Sequence, residues 1–214
     1  MKKAYIFDLD GTLLNTMDDM VDSVNHCLEM HDFPQRSFEE IRIMVGSGMK
    51  NLISRAVPEG TDEEVFEKVF ADYKEYYGSH CMVKTKPYQG IAEALGSLKK
   101  KGIKLAVLSN KSDVLTKAIC SHYYPGVFDL VYGERVGINR KPDPTSLLMI
   151  VKELGLDAED CVYIGDSNTD IQTAKNAGMD CISVTWGFRP YEFLKEKGAK
   201  VLISDPSELL SVNL

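Results

Sequence analysis

The chain has 214 residues with an ordinary globular balance of apolar and charged side chains, and a formal net charge of −7. That length buries a real core and allows one domain with an insertion or two small domains. The acidic balance argues against a chain built to coat nucleic acid or an anionic membrane, so the expected partner is a small molecule, with no nucleic acid and no membrane.

The amino-terminal "MKKAYIFDLD" offers only "AYIF" before acids intervene, too short for a signal peptide or membrane span, and a cytoplasmic protein is expected. The run is apolar on both faces, as in a buried parallel strand. It ends in Asp8 and Asp10, followed by Gly11. Neighbouring carboxylates repel and resist desolvation unless a cation or proton joins them, so this placement costs stability that something must offset.

Residues 16–82 read as helical. Met17, Met20, Val21, Val24 and Leu28 recur at helical spacing, "SFEEIRIMV" opens on a Ser37/Glu40 capping box, and "TDEEVFEKVFADYKEYYG" repeats the device with Thr61 and Glu64. The segment leaves just after the first strand and returns near "KTKPYQG", where Pro87 and Gly90 interrupt regular structure. We therefore expect a helical insertion over 16–82 in a core made of 1–15 and 83–214. An insertion at that point is placed to act as a lid over the carboxyl ends of parallel strands.

From about residue 88 onward, strand and helix alternate. "GIAEALGSLKKKG" puts Ile91, Ala94, Leu95 and Leu98 on one helical face, and "DVLTKAICSHY" and "TSLLMIVKELG" follow the same period. "IKLAVLSN", "CVYIGDS" and "CISVTWG" read as further buried strands, with "VFDLVYG" as a weaker one. The alternation predicts an α/β fold, a Rossmann-like doubly wound parallel sheet carrying an all-helical cap. Five cysteines, Cys27, Cys81, Cys120, Cys161 and Cys181, are odd in number and never spaced Cys-x-x-Cys, which suits reduced thiols in a core.

Each buried-type strand ends in groups able to handle a phosphate or a metal: Asp8 and Asp10, then Ser109 and Asn110, then Asp166 and Asp170. Lys141 stands in the loop "NRKPDP". Parallel strands ending together would gather these acids around one lysine and one hydroxyl. Such a cluster suits a hard cation, and Mg²⁺ is the usual choice beside phosphate. By itself Asp-x-Asp-Gly is ordinary turn chemistry. A calcium loop starting at Asp8 would put its sixth-position glycine on Leu13, and "GDSNT" lacks the closing glycine of a serine-hydrolase elbow.

Four stretches in this order, "DLDGT" at 8–12, "VLSN" with Ser109, "RKPDP" with Lys141 and "GDSNTD" at 165–170, resemble the haloacid dehalogenase-like phosphohydrolases, and within them the phosphoglycolate phosphatase-like group. The resemblance covers the whole chain, the insertion standing where that family carries its first type of cap. "GSGMKNLISRA" at 46–56 is similar to the group's pattern there, whereas Asn15 departs from the acid that many relatives carry, which bears on cap closure.

The resemblance implies a phosphatase that forms an aspartyl phosphate. Asp8 is then the nucleophile and Asp10 the acid/base. Ser109, Asn110 and Lys141 bind phosphate, Asp8, Asp10 and Asp166 hold Mg²⁺, and Asp170 supports them from behind. Lys50 and Arg55 are the candidate cap contacts. It also implies a small phosphate ester as substrate, 2-phosphoglycolate first, and a monomer or homodimer. Pyrophosphatase, nucleotidase, sugar-phosphate phosphatase or mutase, and a non-catalytic phosphate-binding module are the alternatives on the same core. Met20 stands where the mutases use a histidine.

Overall fold

Runs that are apolar on both faces lie side by side in the computed structural model, which describes residues 2–212. In chain order the elements are β1 (Ala4–Phe7), β2 (Leu14–Asn15), α1 (Met17–Met30), α2 (Phe38–Met44), α3 (Met49–Ala56), α4 (Glu63–His80), β3 (Lys86–Pro87), α5 (Ile91–Lys100), β4 (Lys104–Ser112), α6 (Asp113–Tyr123), β5 (Leu130–Glu134), α7 (Thr145–Glu153), β6 (Cys161–Gly165), α8 (Asn168–Asn176), β7 (Asp180–Val184), α9 (Tyr191–Glu196) and β8 (Val201–Ile203). Six strands form one parallel sheet in the order β5-β4-β1-β6-β7-β8, and β2 pairs with β3 in a separate ribbon.

From β1 the chain steps to β4 and β5 on one side, then crosses back to β6 on the other. The strand order thus reverses at β1, where open α/β sheets bind ligands beyond the strand carboxyl ends. Register makes the ends level: Phe7 pairs with Val107 and with Ile164, so the residues that follow on all three strands emerge together. Below them Ala4, Ile6, Ala106, Leu108, Leu147, Ile150 and Tyr163 pack as one buried cluster. Helix α5 buries Ile91, Ala94, Leu95 and Leu98, the face its spacing predicts. All five cysteines are free thiols; four are buried and Cys181 is half-buried. No helix among the described residues is long and apolar enough to cross a membrane.

The chain divides into two compact units, Asn15–Lys86 and the remainder. Inside the helical unit, Val24 and Leu28 of α1 and Tyr73 and Tyr77 of α4 are buried. The Ser37 capping box forms, with Glu40 N donating to Ser37 Oγ at 3.3 Å and Ser37 N donating to Glu40 Oε2 at 2.8 Å. The box expected at Thr61 does not. A turn opening at Pro58 takes the Thr61 hydroxyl, which donates to the Pro58 carbonyl at 2.7 Å, and α4 starts one residue later from Asp62. The unit also extends past residue 82. Buried Asp19 accepts the backbone N–H groups of Lys84 and Thr85, each at 2.8 Å, and so ties the returning chain to α1.

Candidate active site

Asp8 is the first residue beyond β1, and its N–H continues the ladder to the Ile164 carbonyl at 2.8 Å. One carboxylate oxygen, Oδ1, accepts from Leu9 N at 2.7 Å and meets Lys141 Nζ at 3.0 Å. No hydrogen bond to Oδ2 occurs among the described residues. The carboxyl is therefore held by one oxygen and presents the other. Three residues on, Gly11 turns the chain with φ of +80°, a conformation that glycine adopts without steric cost. Asp10, just before it, is faced by Lys111, whose ammonium lies 3.2 Å from Oδ1.

Lys141 is the hub. Its buried ammonium reaches Asp8 Oδ1, Asp170 Oδ1 at 2.8 Å and the Tyr163 hydroxyl at 2.9 Å. Tyr163 in turn donates to the Leu108 carbonyl at 3.0 Å. Asn110 clamps the backbone of Lys141 both ways, accepting from its N–H at 2.9 Å and donating to its carbonyl at 3.1 Å. The Asn110 side-chain amide thereby fixes the position of the lysine backbone. Burial alone would lower the ammonium's pKa, but Asp170 and Asp8 outweigh it and hold the value well above the ordinary one.

Asp166 and Asp170 flank the turn from β6 into α8. Both Asp170 oxygens are engaged, Oδ1 by Lys141 and Oδ2 by Ser167 N at 3.0 Å and Ser167 Oγ at 2.6 Å, in a capping box that starts α8. Asp166 Oδ2 accepts from Phe188 N at 2.6 Å. Burial, and then Asp170, push the Asp166 carboxyl up to about 7, while burial raises Asp8 well above its usual range despite Lys141. Asp8, Asp166 and Asp170 each offer an oxygen within 4.8 Å of the others. Oxygen donors this close, with acidity depressed by burial, fit a hard divalent cation.

Ser109 is buried in β4 just past Leu108, where the regular pairing with β5 breaks off, its Oγ accepting from Lys111 N at 3.2 Å. Asp8, Asp166, Asp170 and Lys141 thus meet directly, and Ser109 and Asn110 join them from β4. Lys50 and Arg55 lie in the helical unit and are engaged there: Lys50 pairs with Glu67 and stands over Phe66, and Arg55 donates to the Met44 carbonyl at 3.3 Å. Asn15 accepts from Met17 N at 3.3 Å and so helps start α1.

The sequence reading missed Lys111, Tyr163 and the Phe188 N–H. It also missed Tyr88, whose phenol is raised by burial and then by Asp166 and Asp10. Lys111 was adjacent to "VLSN" and could have been found by asking what a cation does beside a motif. Nothing local marks the others.

Residues 5–184 match the model of the haloacid dehalogenase-like hydrolase family. The chain belongs to that family. It is 30% identical to phosphoglycolate phosphatase 1 of Pseudomonas aeruginosa over 98% of this chain and 79% of that one. The N-acetylmuramic acid 6-phosphate phosphatase of the same organism is also 30% identical, over 98% and 94% of the two chains. A solved structure from Lactobacillus delbrueckii subsp. bulgaricus, named by inference a phosphoglycolate phosphatase, superposes with a TM-score of 0.92 at 38% identity, covering 98% of this chain and 97% of that one. Within the family this haloacid dehalogenase-like hydrolase is a phosphatase, a phosphoric monoester hydrolase.

Proposed function

We propose that the protein is a Mg²⁺-dependent phosphatase that hydrolyses a small phosphorylated metabolite, 2-phosphoglycolate first among candidates, through an aspartyl phosphate on Asp8. The observation that carries this reading is the state of Asp8: Oδ1 is held by Leu9 N–H and Lys141 while Oδ2 faces the site without a hydrogen bond among the described residues. A carboxylate restrained in this way is oriented for in-line attack.

In the first step the Asp8 oxygen bonds to phosphorus as the bond to the ester oxygen breaks, and Asp10 gives that oxygen its proton. In the second, Asp10 takes a proton from water, which attacks phosphorus and returns Asp8 as a carboxylate with release of inorganic phosphate. Lys141 and the Ser109 hydroxyl would stabilise the charge spread over the phosphoryl oxygens. Asp8, Asp166 and the Asp10 carbonyl would hold the cation, which neutralises phosphoryl charge when bound. Asp170 keeps Lys141 in place. The helical unit, inserted a few residues after Asp8, would serve as a lid that excludes bulk water.

The relatives' names divide between a very small ester and a bulky sugar phosphate, and their equal identity to this chain does not choose. A panel of phosphate esters compared by kcat/KM, with and without chelator, tests the proposal. We expect Mg²⁺-dependent turnover with 2-phosphoglycolate preferred, and loss of at least about 10³-fold in Asp8→Asn, which keeps shape but not nucleophilicity. Preference for N-acetylmuramic acid 6-phosphate would replace the substrate and keep the chemistry. Full activity in Asp8→Asn would remove the mechanism.

A further inference from the structure

Lys111 has no part in the mechanism above, yet the fold goes to some length to place it. Pairing between β4 and β5 changes register between Leu108 and Ser112, so Ser109, Asn110 and Lys111 lie outside the regular ladder. Irregularities of this kind bend a strand and re-aim its side chains. The Lys111 backbone is then pinned on several sides. Its N–H donates to Ser109 Oγ at 3.2 Å, its carbonyl accepts from Thr116 Oγ1 at 3.2 Å, and β5 presses so close that a Cβ on Gly133 would stand 2.6 Å from that carbonyl.

The side chain that results is 2% exposed, and its ammonium lies 3.2 Å from Asp10 Oδ1. That oxygen is buried and takes no hydrogen bond among the described residues, so what faces it is the ammonium's charge. Withdrawing an ammonium from water is costly unless it is well paired, so an ion pair here is a poor device for stability alone. The two lysines divide the two acids of "DLD": Lys141 holds Asp8, and Lys111 faces Asp10.

We propose that Lys111 is a positioning residue that aims the Asp10 carboxyl at the leaving oxygen. This rests on the reading of Asp10 as the acid that protonates the leaving group as the ester P–O bond breaks and the Asp8–P bond forms. Its consequence depends on the substrate. An alkoxide leaves badly without a proton, whereas p-nitrophenolate leaves unaided, and both substrates carry the same phosphoryl group. Loss of aim therefore slows alkyl esters selectively, whereas loss of a phosphate contact would slow both alike.

The test compares kcat/KM for 2-phosphoglycolate, or the alkyl phosphate preferred in the panel, with that for p-nitrophenyl phosphate. It uses wild type, Lys111→Met, Asp10→Asn and the double variant. Because kcat/KM reports through the first irreversible step, it isolates transfer to Asp8, and the ratio of two substrates in one preparation cancels any inactive fraction. We expect Lys111→Met to lower the alkyl ester by about 10- to 100-fold more than the aryl ester, within the range of general acid catalysis. On the Asp10→Asn background the same change should add less than about threefold, since the group it aims is gone. Equal losses on both esters in Lys111→Met, with Asp10→Asn still selective, would overturn the positioning role and make Lys111 a phosphate contact. A non-selective Asp10→Asn would overturn the acid/base reading and this inference with it.

Discussion

A Cβ on Gly11 would stand 2.3 Å from Asp166 Oδ2, one on Gly165 would stand 2.2 Å from Asp170 Cγ, and one on Gly187 would stand 2.3 Å from Asp166 Cβ. The two buried acids thus occupy space that any other residue at these positions would fill. Sequence pattern showed Gly11 as a turn residue, but the close approach of Asp166 came from a strand more than 150 positions away and had no local signature. Gly165→Ala separates positioning from stability. Overpacking costs about 1–3 kcal/mol, which the chain can survive, but the Asp170 side chain must move and Lys141 loses the aim of one partner. We expect kcat on p-nitrophenyl phosphate to fall by roughly 100-fold, the scale of a misplacement near 1 Å, while the urea midpoint drops modestly. A variant with unchanged kcat and a lowered midpoint would show that Asp170 only packs.

Among the elements, those whose pattern alone decides them were legible. β1, β4, β6 and β7 are apolar on both faces because helices cover the sheet, and such runs leave little else for a chain to do. β8 spans three residues between Lys200 and Ser204 and is too short for any period to register. The Thr61 capping box failed for a similar reason of competition, since Pro58 offered the hydroxyl a turn carbonyl nearer than the helix. Helix α3 carries both Lys50 and Arg55, the cations that the family resemblance offers as partners for a substrate carboxylate. Lys50→Ala/Arg55→Ala tests whether these side chains leave Glu67 and the Met44 carbonyl to serve substrate. If they do, kcat/KM falls at least about tenfold more for 2-phosphoglycolate than for p-nitrophenyl phosphate, which has no carboxylate to lose. Parallel losses on both would mean that the pair holds the helical unit together.

For the molecule as a whole, the site sets acids against burial, and that conflict couples folding, cation binding and pH. Burial raises Asp8 well above its usual range and Asp166 to about 7, so without a cation the folded chain favours the protonated carboxyl. A raised folded value contributes stability that is complete below the unfolded value of about 4 and is lost as pH climbs through about 7. A cation held by these carboxylates would compete with the same proton. Its affinity would rise with pH through about 7, where Asp166 gives up its proton, and the stabilisation it confers would follow its affinity by mass action. Melting temperatures measured in chelator should fall from about pH 5.5 to about pH 8, and the increase on adding Mg²⁺ should grow over the same interval. Asp166→Asn has no proton to exchange, so its metal-free melting temperature should be flatter with pH and its Mg²⁺ response smaller. A Mg²⁺ shift that is equally large at both ends of the interval would mean that the cation is held without displacing a proton, and the acids of this crevice would then not be its ligands.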